Sequence, residues 1–293
     1  MEFIRVTTSD NLILQGLFSE PKASTDSVIL HIHGMSGNFW ENGFIKTMLS
    51  EYPKNGVAFL TVETRGSEVI RFFGKTDGNF VKIGNAYEIF EECTKDIQAW
   101  IDLLSKNGYK RIYLQGHSLG CSKIAYYQST KNDRRVKALL FISAADMLGL
   151  VLNPRDLPLH TRHIAESENL VGKGKGGELL PDALWATNQV SAKTYLNFFS
   201  KTAKTAIFNY YDAKLGFATI KTITIPMLSI FGTKDDGIVT DPYKSNEILK
   251  ENAIKSPKFV GVVFDGAQHS YAGFEDQIVE SVLKFIKEIE VRS

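Results

Sequence analysis

Short apolar runs alternate with longer amphipathic stretches along most of the chain, a pattern typical of a sheet covered by helices. The apolar runs predict strands at residues 2–6, 12–18, 28–33, 57–62, 111–115, 136–143, 226–231 and 259–264. The amphipathic stretches predict helices at residues 39–52, 87–105, 242–251 and 274–290, with a further helix that starts near Leu119. The chain is therefore expected to belong to the α/β class.

Residues 145–215 break this alternation. They contain Pro154, Pro158 and the glycine-rich run 172–177, and they are too many for a simple connection between a strand and the next helix. A length of 293 residues suits one α/β domain. We therefore predict a single domain over residues 1–293, with 145–215 as a helical cap or lid over the carboxyl edge of the sheet. A surface embellishment without effect on catalysis is the alternative for this segment.

The composition argues against several classes of partner. With 34 Lys and Arg against 33 Asp and Glu, the net charge is +1, which gives no electrostatic bias toward nucleic acid or an anionic membrane. The longest apolar runs, such as residues 138–142, are too short to span a bilayer, and the first residues do not resemble a secretory signal. The two cysteines form no disulfide framework. We expect a soluble, cytoplasmic protein without nucleic-acid or membrane partners. Its oligomeric state is left open.

The sequence GHSLG, residues 116–120, matches the pattern G-x-S-x-G between a predicted strand and a predicted helix. The pattern alone is weak evidence, but this context is the one its chemistry needs. A serine at a sharp strand-to-helix turn is exposed, and the crowded backbone around it requires glycine. We predict Ser118 as a nucleophile. The backbone N–H of Leu119, at the start of the helix, would stabilise a developing oxyanion.

Elimination among the six histidines indicates a general base. Five lie on a buried strand, beside the predicted nucleophile or within residues 145–215: His31, His33, His117, His160 and His163. The sixth, His269, follows the last predicted strand, and the carboxyl ends of strands are where ligands bind in open α/β folds. We predict that His269 takes the proton of Ser118 and later returns it to the leaving group.

An acid that orients His269 is expected after the strand at 226–231. Two adjacent candidates stand there, Asp235 and Asp236. Adjacent side chains point in different directions, so only one is expected to serve. We prefer Asp235 and keep Asp236 as the alternative, because either carboxylate could accept the second ring N–H of the imidazole.

A second oxyanion donor is predicted in the sequence HGMSGN, residues 33–38, which follows a buried strand. Gly34 allows the backbone to bend so that the N–H of Met35 faces the nucleophile. With the N–H of Leu119, it would form a two-donor oxyanion hole. His33 is expected to hold this loop by hydrogen bonding.

Five short motifs, in this order along the chain, resemble those of the α/β-hydrolase superfamily: HG at 33–34, ETRG at 63–66, GHSLG at 116–120, GTKDD at 232–236 and GAQHS at 266–270. The resemblance implies a mainly parallel eight-stranded sheet with helices on both faces and a cap after the sixth strand. It also implies hydrolysis of an ester, thioester or amide without a cofactor. The chain looks most similar to small esterases, acyltransferases and peptidases, including hydrolases related to siderophore esterases.

Two positions depart from the pattern of this superfamily without touching the predicted triad. Glu63 stands where members often carry aspartate, and Cys121 where they carry a small residue. The nucleophile position holds serine rather than aspartate, which argues against the dehalogenase and epoxide hydrolase branches.

These observations favour a serine hydrolase of the carboxylesterase type, EC 3.1.1, acting through an acyl-enzyme on a small-molecule ester, thioester or amide. An acyltransferase using the same three residues is the first alternative. A non-catalytic ligand-binding module is the second. No metal site is expected, because the pair His31 and His33 lacks accompanying acidic or cysteine ligands, and the pair His160 and His163 lacks the glutamate of a zincin helix.

Overall fold

One mixed sheet forms the centre of the protein. The computed structural model describes residues 1–40 and 42–291. The eight strands of the sheet are β1 (Glu2–Thr7), β2 (Ile13–Ser19), β3 (Ser27–Ile32), β4 (Ala58–Val62), β7 (Arg111–His117), β8 (Val136–Ile142), β9 (Met227–Lys234) and β10 (Phe259–Gln268). A separate two-stranded hairpin pairs β5 (Phe72–Gly74) with β6 (Phe80–Lys82).

The sheet has the strand order β1-β2-β4-β3-β7-β8-β9-β10. β2 runs opposite to the other seven strands, so its pairs with β1 and β4 are antiparallel, and all pairs from β4 to β10 are parallel. Ile32 of β3 pairs with Gly116 of β7, so these strands end side by side and the loops after them lie at one edge. The predicted, mainly parallel eight-stranded sheet is confirmed.

Helices cover both faces of this sheet. They are α1 (Gly43–Lys54), α2 (Cys93–Lys106), α3 (Leu119–Lys131), α4 (Gly149–Leu152), α5 (Leu157–Gly172), α6 (Ala192–Phe199), α7 (Ala218–Thr222), α8 (Pro242–Asn252) and α9 (Glu275–Glu290). Alternate residues of β3 enter different hydrophobic clusters, with Leu30 on the side of α2 and α3 and Ile29 on the side of α1 and α9. No helix within the described ranges is both long and apolar enough to cross a membrane.

Two helices begin later than the sequence predicts. The first starts at Gly43 rather than at residue 39, because the Phe39 carbonyl accepts a hydrogen bond from the hydroxyl of Thr61 in β4 at 2.9 Å. The second starts at Cys93 rather than at residue 87. The backbone N–H of Phe90, which lies in a short 3₁₀ turn before it, donates instead to the side chain of Asn197 at 2.8 Å.

Residues 145–215 follow β8, the sixth strand of the main sheet, and contain α4, α5 and α6. A single buried carboxylate joins the two ends of this segment. Asp146 accepts from the Gly149 N–H at 2.7 Å and from the Tyr211 N–H at 2.8 Å. Burial raises the pKa of Asp146 to about 6, while these backbone hydrogen bonds oppose the shift.

The aromatic residues of the segment pack inward against its own helices and the sheet. Those buried are Tyr195, Phe198, Phe199, Phe208 and Tyr210, and only Tyr211 among this group is exposed. Phe208 meets Phe141 of β8 edge to face, with ring centroids 5.3 Å apart. This packing anchors the 145–215 segment to the sheet.

A buried ion pair fixes α3 to the loop before α2. The ammonium of Lys123 lies 2.6 Å from a carboxylate oxygen of Glu88, and both side chains are completely buried. The same ammonium donates to the hydroxyl of Thr64 at 3.2 Å. Burial raises the pKa of Glu88, whereas the charge and hydrogen bond of Lys123 lower it. The pair thus places a compensated charge under the helix that follows Ser118.

We expect Lys123→Met to lower the free energy of unfolding by about 3–5 kcal/mol, because it leaves the Glu88 carboxylate buried without a partner. The double variant Lys123→Met/Glu88→Leu should regain much of this loss, since it removes both charges. Urea unfolding followed by circular dichroism measures the difference.

The exposed pair of Lys175 and Glu178 supplies the control, and Lys175→Met should change stability little. Equal stability of Lys123→Met and wild type would contradict the assignment of a stabilising role to this contact.

Candidate active site

Ser118 stands alone between the end of β7 and the start of α3 in a strained backbone conformation. Its φ of 53° and ψ of −123° lie in a region that side-chain-bearing residues rarely adopt. The Ser118 N–H donates to the carbonyl of Ile142 in β8 at 3.0 Å, which fixes the turn against the neighbouring strand. The turn therefore holds this serine out of the sheet, as the sequence predicts.

The two glycines of the pattern are required by close backbone contacts. A Cβ on Gly116 would lie 2.5 Å from the Cys121 nitrogen, and a Cβ on Gly120 would lie 2.2 Å from the carbonyl oxygen of Ile32. Both distances are shorter than any real contact of a Cβ atom. The turn can form only where α3 approaches β7 and β3 without side chains between them.

His269 and Asp235 are hydrogen-bonded to each other. The Nδ1 of His269 lies 2.7 Å from Oδ1 of Asp235. The Asp235 side chain is completely buried, and it accepts further hydrogen bonds from the Gly237 N–H at 2.8 Å and from the hydroxyl of Ser143. Asp236, the alternative acid, is exposed. The structure thus brings Asp235 to the imidazole, while its role in chemistry stays a prediction.

The ion-pair geometry determines the titration of both partners. Burial by itself lowers the pKa of His269, but the hydrogen bond and negative charge of Asp235 outweigh it and raise the pKa above its usual value. Burial raises the pKa of Asp235, but the hydrogen bond and charge of His269, together with the hydrogen bonds from Ser143 and Gly237, outweigh burial and lower it. With Nδ1 engaged, Nε2 of His269 is the ring nitrogen left to exchange a proton.

His117 and Gly237 lie against His269, and the ring centroids of the two histidines are 4.7 Å apart. The Nε2 of His117 lies 2.9 Å from the carbonyl oxygen of His269, so this nitrogen carries the proton that it donates. Burial, assisted by the nearby charge of His269, lowers the pKa of His117 to about 3 and keeps it neutral. A Cβ on Gly237 would lie 2.4 Å from the His269 ring, so the chain needs glycine there. The sequence did not reveal either role.

The loop that carries Met35 is held by His33. The Nδ1 of His33 lies 2.7 Å from the carbonyl oxygen of Gly34, and its Nε2 accepts from the Thr64 N–H at 3.2 Å and contacts the hydroxyl of Ser67 at 2.8 Å. Burial lowers the pKa of His33 to about 3, so the ring is neutral with its proton on Nδ1. His33 therefore has the structural role that the sequence predicts.

The predicted oxyanion loop lies directly against the predicted nucleophile. A Cβ on Gly34 would be 3.0 Å from the Cβ of Ser118, which is a tight contact, so glycine lets the loop lie close to this serine. Leu119 is the first residue of α3, and the N–H groups of a first helical turn have no partner within the helix. Met35 and Leu119 thus flank Ser118 as predicted donors.

A cleft of about 930 Å³ opens above these residues and includes Ser118, His269, Met35 and Asp236 in its wall. Its other wall residues are Gly34, Ser36, Gly37, Asn42, Glu68, Val69, His117, Leu150, Arg155, Asp156, Trp185, Ala186, Thr187, Asn188 and Gly237. Many of them belong to the 145–215 segment. Sequence patterns did not reveal these wall residues, because loops from distant parts of the chain meet here.

Among the described residues, one cluster has metal-ligating atoms close enough to share an ion. It consists of Asp235, Asp236 and His269, whose ligand atoms lie within 4.8 Å of one another. The Nδ1 and Oδ1 atoms that would bind an ion already form the 2.7 Å contact. A metal bound there would displace that hydrogen bond, so the donor set fits the hydrogen-bonded pair better.

No protein-family model matches the chain, and no curated protein matches it either. Solved structures do match over nearly the whole chain. GrgF from Penicillium sp. sh18, described as an alpha/beta hydrolase, is 15% identical with a TM-score of 0.67, covering 99% of this chain and 98% of its own. The chain has the α/β-hydrolase fold. The superfamily resemblance predicted from the five motifs is confirmed at the level of the fold.

Two further solved structures match over nearly the whole chain. Est1E from Butyrivibrio proteoclasticus, solved with ferulic acid bound, is 19% identical with a TM-score of 0.67, covering 98% of this chain and 99% of its own. A Pyrococcus furiosus esterase is 16% identical with a TM-score of 0.63, covering 99% and 90%. At these identities the likeness concerns the fold alone.

NMR titration of the imidazole protons tests the assignment of Asp235. We expect the pKa of His269 to lie above 6.5 in the wild type and to fall in Asp235→Asn, because burial then acts without a compensating carboxylate. Asp236→Asn is the matched control and should lower the pKa less. A larger fall of the His269 pKa in Asp236→Asn than in Asp235→Asn would show that Asp236, and not Asp235, is the partner of the imidazole.

Proposed function

We propose that this α/β-hydrolase cleaves a carboxylic ester with Ser118 as nucleophile, His269 as base and Asp235 as the orienting acid. One observation carries the proposal. A serine in a strained strand-to-helix turn opens on the same cleft as an imidazole that is 2.7 Å from a buried carboxylate. The order Ser, Asp, His along the chain is the one this fold uses.

In the first step, Nε2 of His269 accepts the proton of Ser118 as the serine oxygen attacks the carbonyl carbon of the ester. Asp235 stabilises the imidazolium that forms. The lowered pKa of Asp235 and the raised pKa of His269 are consistent with this role. The imidazolium then donates the proton to the departing alkoxide. The acyl group remains on Ser118 until water, activated by the same imidazole, releases it as a carboxylate.

Negative charge develops on the carbonyl oxygen in both steps. The N–H groups of Met35 and Leu119 are proposed to donate to it. Support comes from the contact of the loop at Gly34 with Ser118, and from the position of Leu119 at the start of α3. Donors of this kind act because they are already oriented before charge develops.

We further propose that residues 145–215 form a cap within a single domain and select the substrate. Supporting this, Leu150, Arg155 and residues 185–188 line the cleft. The volume of about 930 Å³ suits a small or medium-sized molecule. Est1E binds ferulic acid, and Trp185 gives this cleft an aromatic wall, so aromatic acyl esters belong in the first substrate screen alongside aliphatic ones. Cytoplasmic location and the absence of nucleic-acid partners remain expectations from the sequence.

A fluorophosphonate probe should label wild-type protein on one residue, Ser118, because the probe reacts with serines activated by a neighbouring base. Mass spectrometry of the labelled peptide identifies the site. Ser118→Ala should abolish the labelling, and Ser129→Ala, on the same helix, should leave it intact. Absence of labelling in folded wild-type protein would refute the proposed function.

Hydrolysis of p-nitrophenyl esters of graded chain length should depend on Asp235. We expect Asp235→Asn to lower kcat by a factor of about 10⁴, which is the loss typical of an imidazole in the wrong tautomer. Asp236→Asn should retain most of the rate. The reverse ranking of these two variants would move the acid to Asp236.

The same assay with added alcohols or amines separates hydrolysis from acyl transfer. A free carboxylate as the only product in excess acceptor supports the hydrolase. Predominant transfer to the acceptor would instead identify an acyltransferase, in which water is excluded from the acyl-enzyme.

A further inference from the structure

A hydrogen bond joins the 145–215 segment to the loop that carries Met35. The hydroxyl of Ser36 donates to Oδ1 of Asn188 at 2.5 Å, across 152 positions of sequence. Both residues line the cleft beside Ser118. A direct contact between the proposed cap and the residue next to a proposed oxyanion donor is a candidate for control of that donor.

Asn188 belongs to a closed turn, residues 184–188. Leu184 and Asn188 exchange two backbone hydrogen bonds of 2.9 Å, one in each direction. Leu184 is buried in the core, while Trp185 and Ala186 at the tip of the turn have φ values of 47° and 66°. The two backbone bonds to Leu184 thus fix the backbone of Asn188 to the packed interior. The side-chain oxygen of Asn188 is thereby held where it accepts the hydrogen bond from Ser36.

Ser36 belongs to a second tight turn, residues 34–37. The Gly37 N–H donates to the Gly34 carbonyl at 3.2 Å, and Ser36 between them has a φ of 53°. His33 holds the first residue of this turn through its bond to the Gly34 carbonyl at 2.7 Å. The contact with Asn188 holds the turn at Ser36, and the Glu68 N–H donates to the Gly37 carbonyl at 3.2 Å. The Met35 peptide therefore lies between the bond of His33 to Gly34 and the bond of Asn188 to Ser36.

We infer that Asn188 is a positioning residue, which acts through Ser36 to orient the Met35 N–H toward the developing oxyanion. The inference rests on the proposed function. Oxyanion donors accelerate a reaction because they are oriented in advance. Without the bond to Asn188, the turn samples other orientations of the Met35 peptide. The oxyanion of the transition state then loses stabilisation, while binding of the substrate is little changed. The proposed cap would then take part in the chemistry as well as in selection.

The test uses full-length protein, a p-nitrophenyl ester and the fluorophosphonate probe. Asn188→Ala and Ser36→Ala should each lower kcat by about tenfold, with KM within about twofold of wild type. Misorientation of an oxyanion donor is expected to lower kcat less than complete removal of the donor does. The first-order rate of phosphonylation of Ser118 should fall in parallel. The double variant should be no slower than either single variant, since both remove one contact.

Asn188→Asp serves as the rescue variant and should restore most of the rate, because a carboxylate oxygen also accepts from the Ser36 hydroxyl. Gln189→Ala is the matched control. It removes the neighbouring amide, whose nitrogen donates to the Leu180 carbonyl at 3.4 Å and whose side chain does not line the cleft. Its kcat should equal that of wild type. Thermal unfolding confirms that all variants are folded.

Several outcomes would overturn the inference. They are an unchanged kcat in Asn188→Ala, a rise in KM alone, or a double variant whose loss is the product of the single losses. Failure of the proposed function looks different, because wild-type protein would then leave the probe unreacted at Ser118. In that case the inference falls with the function on which it rests.

Discussion

The proposed site depends on a close backbone approach between α3 and the end of β3. Gly120 lies where any side chain would overlap the carbonyl of Ile32, and a Cβ on Gly34 would lie 3.0 Å from the Cβ of Ser118. These contacts bring the turn after β7 and the loop after β3 to one place at the sheet edge. A proposed nucleophile and a proposed oxyanion donor become neighbours because two backbones meet with no side chains between them.

Beneath this contact, a chain of polar groups links the interior to the same loop. Lys123 pairs with Glu88 and donates to Thr64, whose hydroxyl lies 3.0 Å from Nε2 of His33. The opposite nitrogen of His33 holds the Gly34 carbonyl. Because buried polar groups are costly unless they are satisfied, such a chain resists displacement of any one member. Ser36 and Asn188 supply the matching support from the solvent side.

The sequence predicted the sheet well because buried parallel strands are continuous apolar runs. All six residues of β3 are buried, which leaves the pattern little room for another interpretation. It failed where local signals compete with distant contacts. The start of α1 moved because the Phe39 carbonyl is bonded to Thr61, and the three-residue strands β5 and β6 were missed because such short strands carry no periodicity.

The predicted site shows the same division. A motif at a strand-to-helix turn identified Ser118, and the position of a loop after the last strand singled out His269. Adjacent aspartates could be ranked only by preference, since the 2.7 Å contact of Asp235 with the imidazole depends on the path of the loop after β9. Residues such as Trp185 and Asn188 carry no motif at all. They reach the cleft wall only through the tertiary fold of the 145–215 segment.

The double hydrogen bond of Asp146 gives that segment a narrow neck. One carboxylate accepts from Gly149 near its beginning and from Tyr211 near its end, so the two ends of the segment are held close together. An exchange of the residues between these positions would alter the cleft wall at residues 185–188. An exchange that keeps Asn188 would also keep its contact with Ser36, so a new specificity could arise without loss of that support.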